Sequence, residues 1–105
     1  MKKNIFIKYI SVAAIIISSA VSQNGTIKGL VLDKTTKNPL IGANVFIVGT
    51  SLGTASNDAG SYKITNVFPD VYTIRATYIG YEMFETEITL QPGENLEQNF
   101  ELNYA

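Results

Sequence analysis

Cysteine, histidine and tryptophan are all absent from these 105 residues. Without cysteine no disulfide can staple the fold, and no thiol can serve as nucleophile or metal ligand. Without histidine the usual general base and the commonest metal ligand are missing. Charge is sparse, at 16% of residues, and no basic stripe exists that could neutralise the phosphates of a nucleic acid. Only three prolines occur, and no helical hydrophobic period of useful length lies beyond residue 22. What remains is a chain rich in alternating apolar and polar residues, with little chemistry to offer.

Residues 1–22 read as an export signal. Met1-Lys2-Lys3-Asn4 is a short basic start, and Ile5 to Ile17 is apolar apart from Lys8, Tyr9 and Ser11. Ser18-Ser19-Ala20-Val21-Ser22 then supplies small residues at a spacing suited to signal peptidase. The uncharged stretch from Tyr9 runs roughly 13 residues, short of the ~20 that a membrane-crossing helix requires. Cleavage is expected after Ser22, or after Ala20, and no cysteine is present to accept a lipid anchor. The expected domain boundaries are therefore 1–22 for a secretory signal peptide and 23–105 for a folded domain. The expected location is exported and periplasmic.

Beyond residue 22, five basic residues (Lys28, Lys34, Lys37, Lys63, Arg75) stand against nine acidic ones, a net charge of −4. Six of the acids fall between Glu82 and Glu101 and read as a solvated outer strand face. Roughly 83 residues must then fold on hydrophobic burial alone, which at this size removes somewhat above ~60% of the chain surface from water and supports one domain.

The apolar period is two. Ile27, Gly29 and Val31 alternate with Thr26, Lys28 and Leu30. Ala43, Val45 and Ile47 alternate with Asn44, Phe46 and Val48. Tyr62 and Ile64 lie opposite Lys63 and Thr65. Tyr72, Ile74, Ala76 and Tyr78 lie opposite Thr73, Arg75 and Thr77. Phe84, Thr86, Ile88 and Leu90 oppose Glu85, Glu87 and Thr89, and Leu96, Gln98, Phe100 and Leu102 oppose Glu97, Asn99 and Glu101. Each first group is one wall of a core, because successive strand residues point to opposite faces. Gly53-Thr54-Ala55-Ser56 adds a short strand. Asp33 to Pro39, Asn57-Asp58-Ala59-Gly60, Phe68-Pro69-Asp70 and Gln91 to Asn95 are turns, with Gly60 able to take a positive φ. The expected fold is all-β: a small antiparallel Greek-key-like β-sandwich of about seven strands, preceded by a signal-peptide helix.

Candidate chemistry is thin. A serine nucleophile at Ser56 or Ser61 has only Lys63 as a nearby base, and Lys63 belongs to the outward face. Asn57 and Asp58 hint at a calcium turn but lack the acid-rich spacing of a binding loop. Glu85 and Glu87 share a face without apolar shielding to raise a carboxyl pKa. For a sugar surface, most tyrosines and phenylalanines fall on inward positions, and Phe46 and Phe68 are the notable exceptions, with Asn44, Asn66 and Asp70 as polar neighbours. Catalytic, cofactor and metal sites are all expected to be absent, and the ligand-binding residues are unassigned.

Four ordered blocks carry a family resemblance: Ile27 to Asp33, Pro39 to Val45, Gly49 to Tyr62, and Tyr78-Ile79-Gly80-Tyr81. Together they resemble the carboxypeptidase-regulatory-like domain across residues 25–102. They look most like the version at the N-terminus of TonB-dependent outer-membrane receptors of Bacteroidetes-like bacteria. The resemblance implies a sandwich similar to transthyretin and to starch-binding-like domains. Ser56-Asn57-Asp58 departs from the threonine and aspartate more usual in the family before this turn. The sequence reaches Ala105 where such a receptor would begin its TonB-contacting segment and plug. The implied role is a non-catalytic periplasmic accessory domain, monomeric, whose partners are proteins: the receptor plug or periplasmic transport components. The outer membrane would be reached only through a C-terminal continuation. The alternative is a stand-alone exported sandwich that binds carbohydrate or peptide. A linker is expected to begin near Asn103, with Asn103-Tyr104-Ala105 disordered.

Overall fold

The longest strand is the central one of the first sheet. In the computed structural model, which describes residues 23–105, β1 spans Gly25–Asp33 and buries Ile27 and Val31 completely while Lys28 and Leu30 face outward. The expectation of a signal peptide at residues 1–22 lies outside the described residues. Seven further strands complete the fold: β2 (Asn44–Ile47), β3 (Gly53–Ala55), β4 (Ser61–Val67), β5 (Val71–Thr77), β6 (Phe84–Thr89), β7 (Asn95–Glu97) and β8 (Phe100–Leu102). They form two sheets. One has the order β4-β1-β7, with β8 also paired to β1, and the other has the order β3-β2-β5-β6.

The sandwich is as expected, with eight strands in place of about seven. The extra strand arises because the last alternating run, Leu96 to Leu102, is broken into β7 and β8. At the break, Gln98 donates its N–H to the Lys28 carbonyl (2.8 Å), and the Asn99 side-chain oxygen accepts the Leu30 N–H (2.9 Å). A side chain thus stands in for a backbone acceptor where the strand kinks. Gly29 faces this kink, and a Cβ there would lie 2.2 Å from the Gln98 carbonyl oxygen. Glycine permits that close approach.

The second sheet is antiparallel throughout, while the first is mixed: β4 pairs antiparallel with β1, but β7 and β8 run parallel to it. The parallel pairing results from where the chain re-enters. Thr26 donates to the Glu94 carbonyl (2.9 Å) and Gly93 to the Gln23 carbonyl (3.0 Å), so β7 starts at the same end as β1.

Between the sheets, Ile27, Val31, Val45, Ile47, Val67 and Ile74 are wholly buried, and Phe100 and Leu102 nearly so. Burial of such side chains contributes about 1.5–3 kcal/mol each. Tyr62 closes the core against Phe100, ring centroids 5.9 Å apart, and donates its hydroxyl to the Gln98 carbonyl. Phe84 departs from its expected inward placement. It sits at the open side of the sandwich, meets the Phe100 ring edge-on at 6.0 Å, and stays 46% exposed.

The terminus also departs from expectation. Residues 103–105 are ordered against the fold. Tyr104 pairs with Tyr81, the Asn103 carbonyl accepts the Glu82 N–H (2.8 Å), and Ala105 donates to the Gly80 carbonyl (2.9 Å). Backbone pairing and an aromatic contact supply what a polar linker would lack.

Candidate functional site

Each of the candidate chemical groups is occupied with holding the fold or stands in solvent. Ser56 is buried, donating its hydroxyl to the Leu40 carbonyl (2.5 Å) and accepting from the Ala43 N–H (2.8 Å). Lys63 points out to water from β4. The Asn57 side-chain oxygen accepts from Ala59 (3.0 Å) and Ser61 (2.9 Å), which closes the turn that calcium would otherwise have to enter. Asp58 is exposed beside it. Glu85 pairs with Arg75 at 2.8 Å on the outer face of the second sheet, and Glu87 is on the same face. Among the described residues no three acidic side chains converge as a metal site.

The two aromatic sugar candidates are separated in kind. Phe46 lies across from Arg75 in the β2–β5 register, and the guanidinium covers its ring at 5.6 Å from the centroid. That cation–π contact occupies the face on which a pyranose would stack. Phe68, in the β4–β5 turn between Asn66 and Asp70, is 59% exposed, while its carbonyl accepts the Tyr72 hydroxyl at 2.5 Å.

A built surface does exist at the end of the sandwich formed by Tyr78-Ile79-Gly80-Tyr81. Tyr81 donates its N–H to the Tyr78 carbonyl (3.0 Å), making a tight turn between β5 and β6. The Tyr81 ring packs between Tyr78 (5.6 Å) and Tyr104 (5.2 Å). Its hydroxyl donates to Asp33 Oδ2 at 2.6 Å, while Asp33 Oδ1 accepts the N–H groups of Thr35 (2.8 Å) and Thr36 (2.9 Å). This shared proton donor holds the Asp33 carboxyl below the ordinary carboxylate range and pushes the Tyr81 hydroxyl up to about 12. The turn is thereby clamped to the end of β1. The partner of Tyr81 is a carboxylate 48 positions away, and the residues around Asp33 signal only a local turn.

Clamping leaves one residue of the turn without a structural task. The Ile79 side chain is 96% exposed, beside a groove of about 500 Å³ that it lines with Gly42, Asn44, Thr77 and Tyr78. Ile41, next to Gly42, is also largely in water.

The four sequence blocks meet one another in space. Gly60, at φ 75°, packs where a Cβ would stand 2.8 Å from Pro39 Cβ, and its carbonyl accepts the Val31 N–H (2.8 Å). Ser56 ties the third block to the second, and Tyr81 ties the fourth to the first. The model of the CarboxypepD_reg-like domain family matches residues 27–105. This chain belongs to the carboxypeptidase-regulatory-like domain family.

The carboxypeptidase-regulatory-like domain is shared with proteins of different overall activity. The chain is 34% identical over 92 residues to the TonB-dependent receptor SusC of Bacteroides thetaiotaomicron, covering 87% of this chain and 9% of the receptor. It is 36% identical over 76 residues to the human carboxypeptidase N catalytic chain, covering 72% of this chain and 16% of that one. In fold it is similar to the Bacillus anthracis TIE protein (TM-score 0.66, 18% identity, 79% of this chain and 17% of that one). The chain thus spans less than a fifth of the length of either sequence relative.

Proposed function

We propose that this chain is a non-catalytic interaction module, exported to the periplasm behind a signal peptide at residues 1–22, and that it forms the N-terminal part of a TonB-dependent outer-membrane receptor. The observation that carries this reading is the Tyr78–Tyr81 end of the sandwich. Leaving Ile79 in water forgoes about 1.5–3 kcal/mol of burial, and the exposed apolar surface around it is suited to a protein contact. Ala105 is hydrogen-bonded to Gly80, so polypeptide joined after residue 105 would leave from beside that surface. The domain would then dock on the receptor plug through Ile79 and the groove it lines. The likeness to SusC over most of this chain supports the same placement.

Chemistry of its own is not part of the proposal. The chain offers neither histidine nor cysteine, and Ser56 spends its hydroxyl on main-chain groups.

The test is to track the protein in its own cells by fractionation and mass spectrometry. The expected product begins at Gln23 or Val21 and travels in the outer-membrane fraction as part of a plug-and-barrel polypeptide. A free product of residues 23–105 in the periplasmic fraction would overturn the receptor reading, and a product still carrying Met1 to Ser22 would overturn the export reading.

A further inference from the structure

The sandwich has strands at its sheet edges, and they are not equivalent. β3 is only three residues long. β4 is irregular where Asn66 takes φ 58° and the register against β1 shifts. The β7–β8 edge is interrupted at Gln98 and Asn99. Among the described residues, β6 alone is an unbroken edge strand, six residues in continuous register with β5 from Ala76↔Phe84 to Val71↔Thr89.

The phase of its hydrogen bonds is set by one contact. Leu90 donates to the Asp70 carbonyl at 2.9 Å. Antiparallel pairing alternates, so the even residues of β6 bond toward β5. The N–H and C=O groups of Glu85, Glu87 and Thr89 therefore point away from the sheet, and no strand pairs with them among the described residues. Alongside this edge runs a groove of about 440 Å³, into which β6 contributes Phe84 and Thr86, while Leu30 and Leu32 supply apolar surface from β1 and Lys34 and Glu101 are its charged lining.

We propose that the free edge of β6 docks an extended, cationic segment of a partner protein, which adds to the second sheet as a further strand. Backbone groups of Glu85, Glu87 and Thr89 supply the ladder. Alternate side chains of the added strand enter the groove beside Phe84 and are apolar. The intervening ones are lysine or arginine and lie on the outer face, where Arg75 already pairs with Glu85 at 2.8 Å and Glu87, in no ion pair among the described residues, is the carboxylate that selects them. Charge decides the occupant. A second copy of this chain would set Glu85 and Glu87 against the same pair, which opposes pairing, and residues 23–105 carry a net charge of −4. The Glu87 carboxylate, which discourages self-association, selects a basic strand.

The inference goes beyond the receptor reading and is tested on a partner added in trans, so its outcome leaves that reading untouched. The probes are three short capped peptides: alternating lysine and valine, alternating glutamate and valine, and a lysine peptide of equal charge with proline in place of valine. Titration into the protein is monitored by amide NMR and hydrogen exchange. The lysine–valine peptide is expected to bind and to protect the amides of Glu85, Glu87 and Thr89, while the other two do not. Glu87→Lys is expected to weaken the lysine–valine peptide about tenfold and to leave the free protein's amide spectrum otherwise native. Equal binding of the proline peptide would reduce the effect to charge alone and overturn strand addition. Failure of the lysine–valine peptide to protect those amides, or protection of them by self-association, would overturn it as well.

Discussion

Ile74 and Thr73 are neighbours on β5 with different surroundings. Ile74 is wholly buried between the sheets, while Thr73 lies on the outer face, half-buried. Ile74→Ala removes buried volume that the packed sheets cannot fully reclaim, and a loss of about 2–5 kcal/mol is expected. Thr73→Ala should cost far less. Urea denaturation of both variants checks this, and similar midpoints would place the strand in the wrong register. The Tyr81–Asp33 hydrogen bond gives a second test at this scale. Asp33, held below its ordinary value of 3.8, contributes stability that is present above that pH and lost as acid protonates the folded carboxyl. Tyr81, raised from 10.0 to about 12, contributes stability that is full below 10 and lost as pH climbs through 12. Tyr81→Phe should therefore flatten the stability profile at both extremes, as read from melting temperature against pH. An unchanged profile would show that the clamp has no energetic part in the fold.

At the scale of elements, the informative place is the crossing of β1 with the β7–β8 kink. Gly29 sits where the Gln98 backbone leaves no space for a side chain. Gly29→Ala must push β7 or β8 off the sheet, separating Tyr62 from its acceptor at Gln98 and loosening Phe100 from the Tyr62 ring. Gly29→Ala is expected to destabilise the domain, with the largest increases in hydrogen exchange at Gln98 and Leu30, the donors that bridge the two strands there. If exchange instead rose evenly over all strands, the kink would not be a separate element. The Tyr78–Tyr81 turn behaves differently. Tyr81 is held by Tyr78, Tyr104 and Asp33, so the turn that presents Ile79 is tied to the rest of the fold.

At the scale of the whole molecule, the large aromatic side chains exposed among the described residues are Phe68, Phe84 and Tyr104. Arg75 covers Phe46, leaving Phe68 as the exposed phenylalanine among the two candidates. Glycan-binding faces present aromatic surface with polar groups converging on it, and here Asn66 is held at positive φ while the Asp70 carboxylate accepts the Val71 N–H at 2.7 Å. A polysaccharide panel is expected to show no retention. Retention abolished by Phe68→Ala would promote the carbohydrate-binding alternative over the receptor reading.

Local alternation is enough to read the strands, because side-chain direction in a strand depends only on position along it. Ile27, Val31, Val45, Ile47, Ile74 and Phe100 all lie inside as their period requires. The outward Lys63 is legible for the same reason, and the turn at Asn57–Gly60 is legible from its Asn, Asp and Gly residues. Phe84 has the right direction, yet it stands at the open side of the sandwich, and a period cannot report where a sheet ends. The parallel run of β7 and β8, the docking of residues 103–105, the Asp33–Tyr81 clamp and the free edge of β6 are equally beyond any local pattern. Each joins or separates residues far apart in the chain, and only the closing of two sheets around one core decides which of them meet.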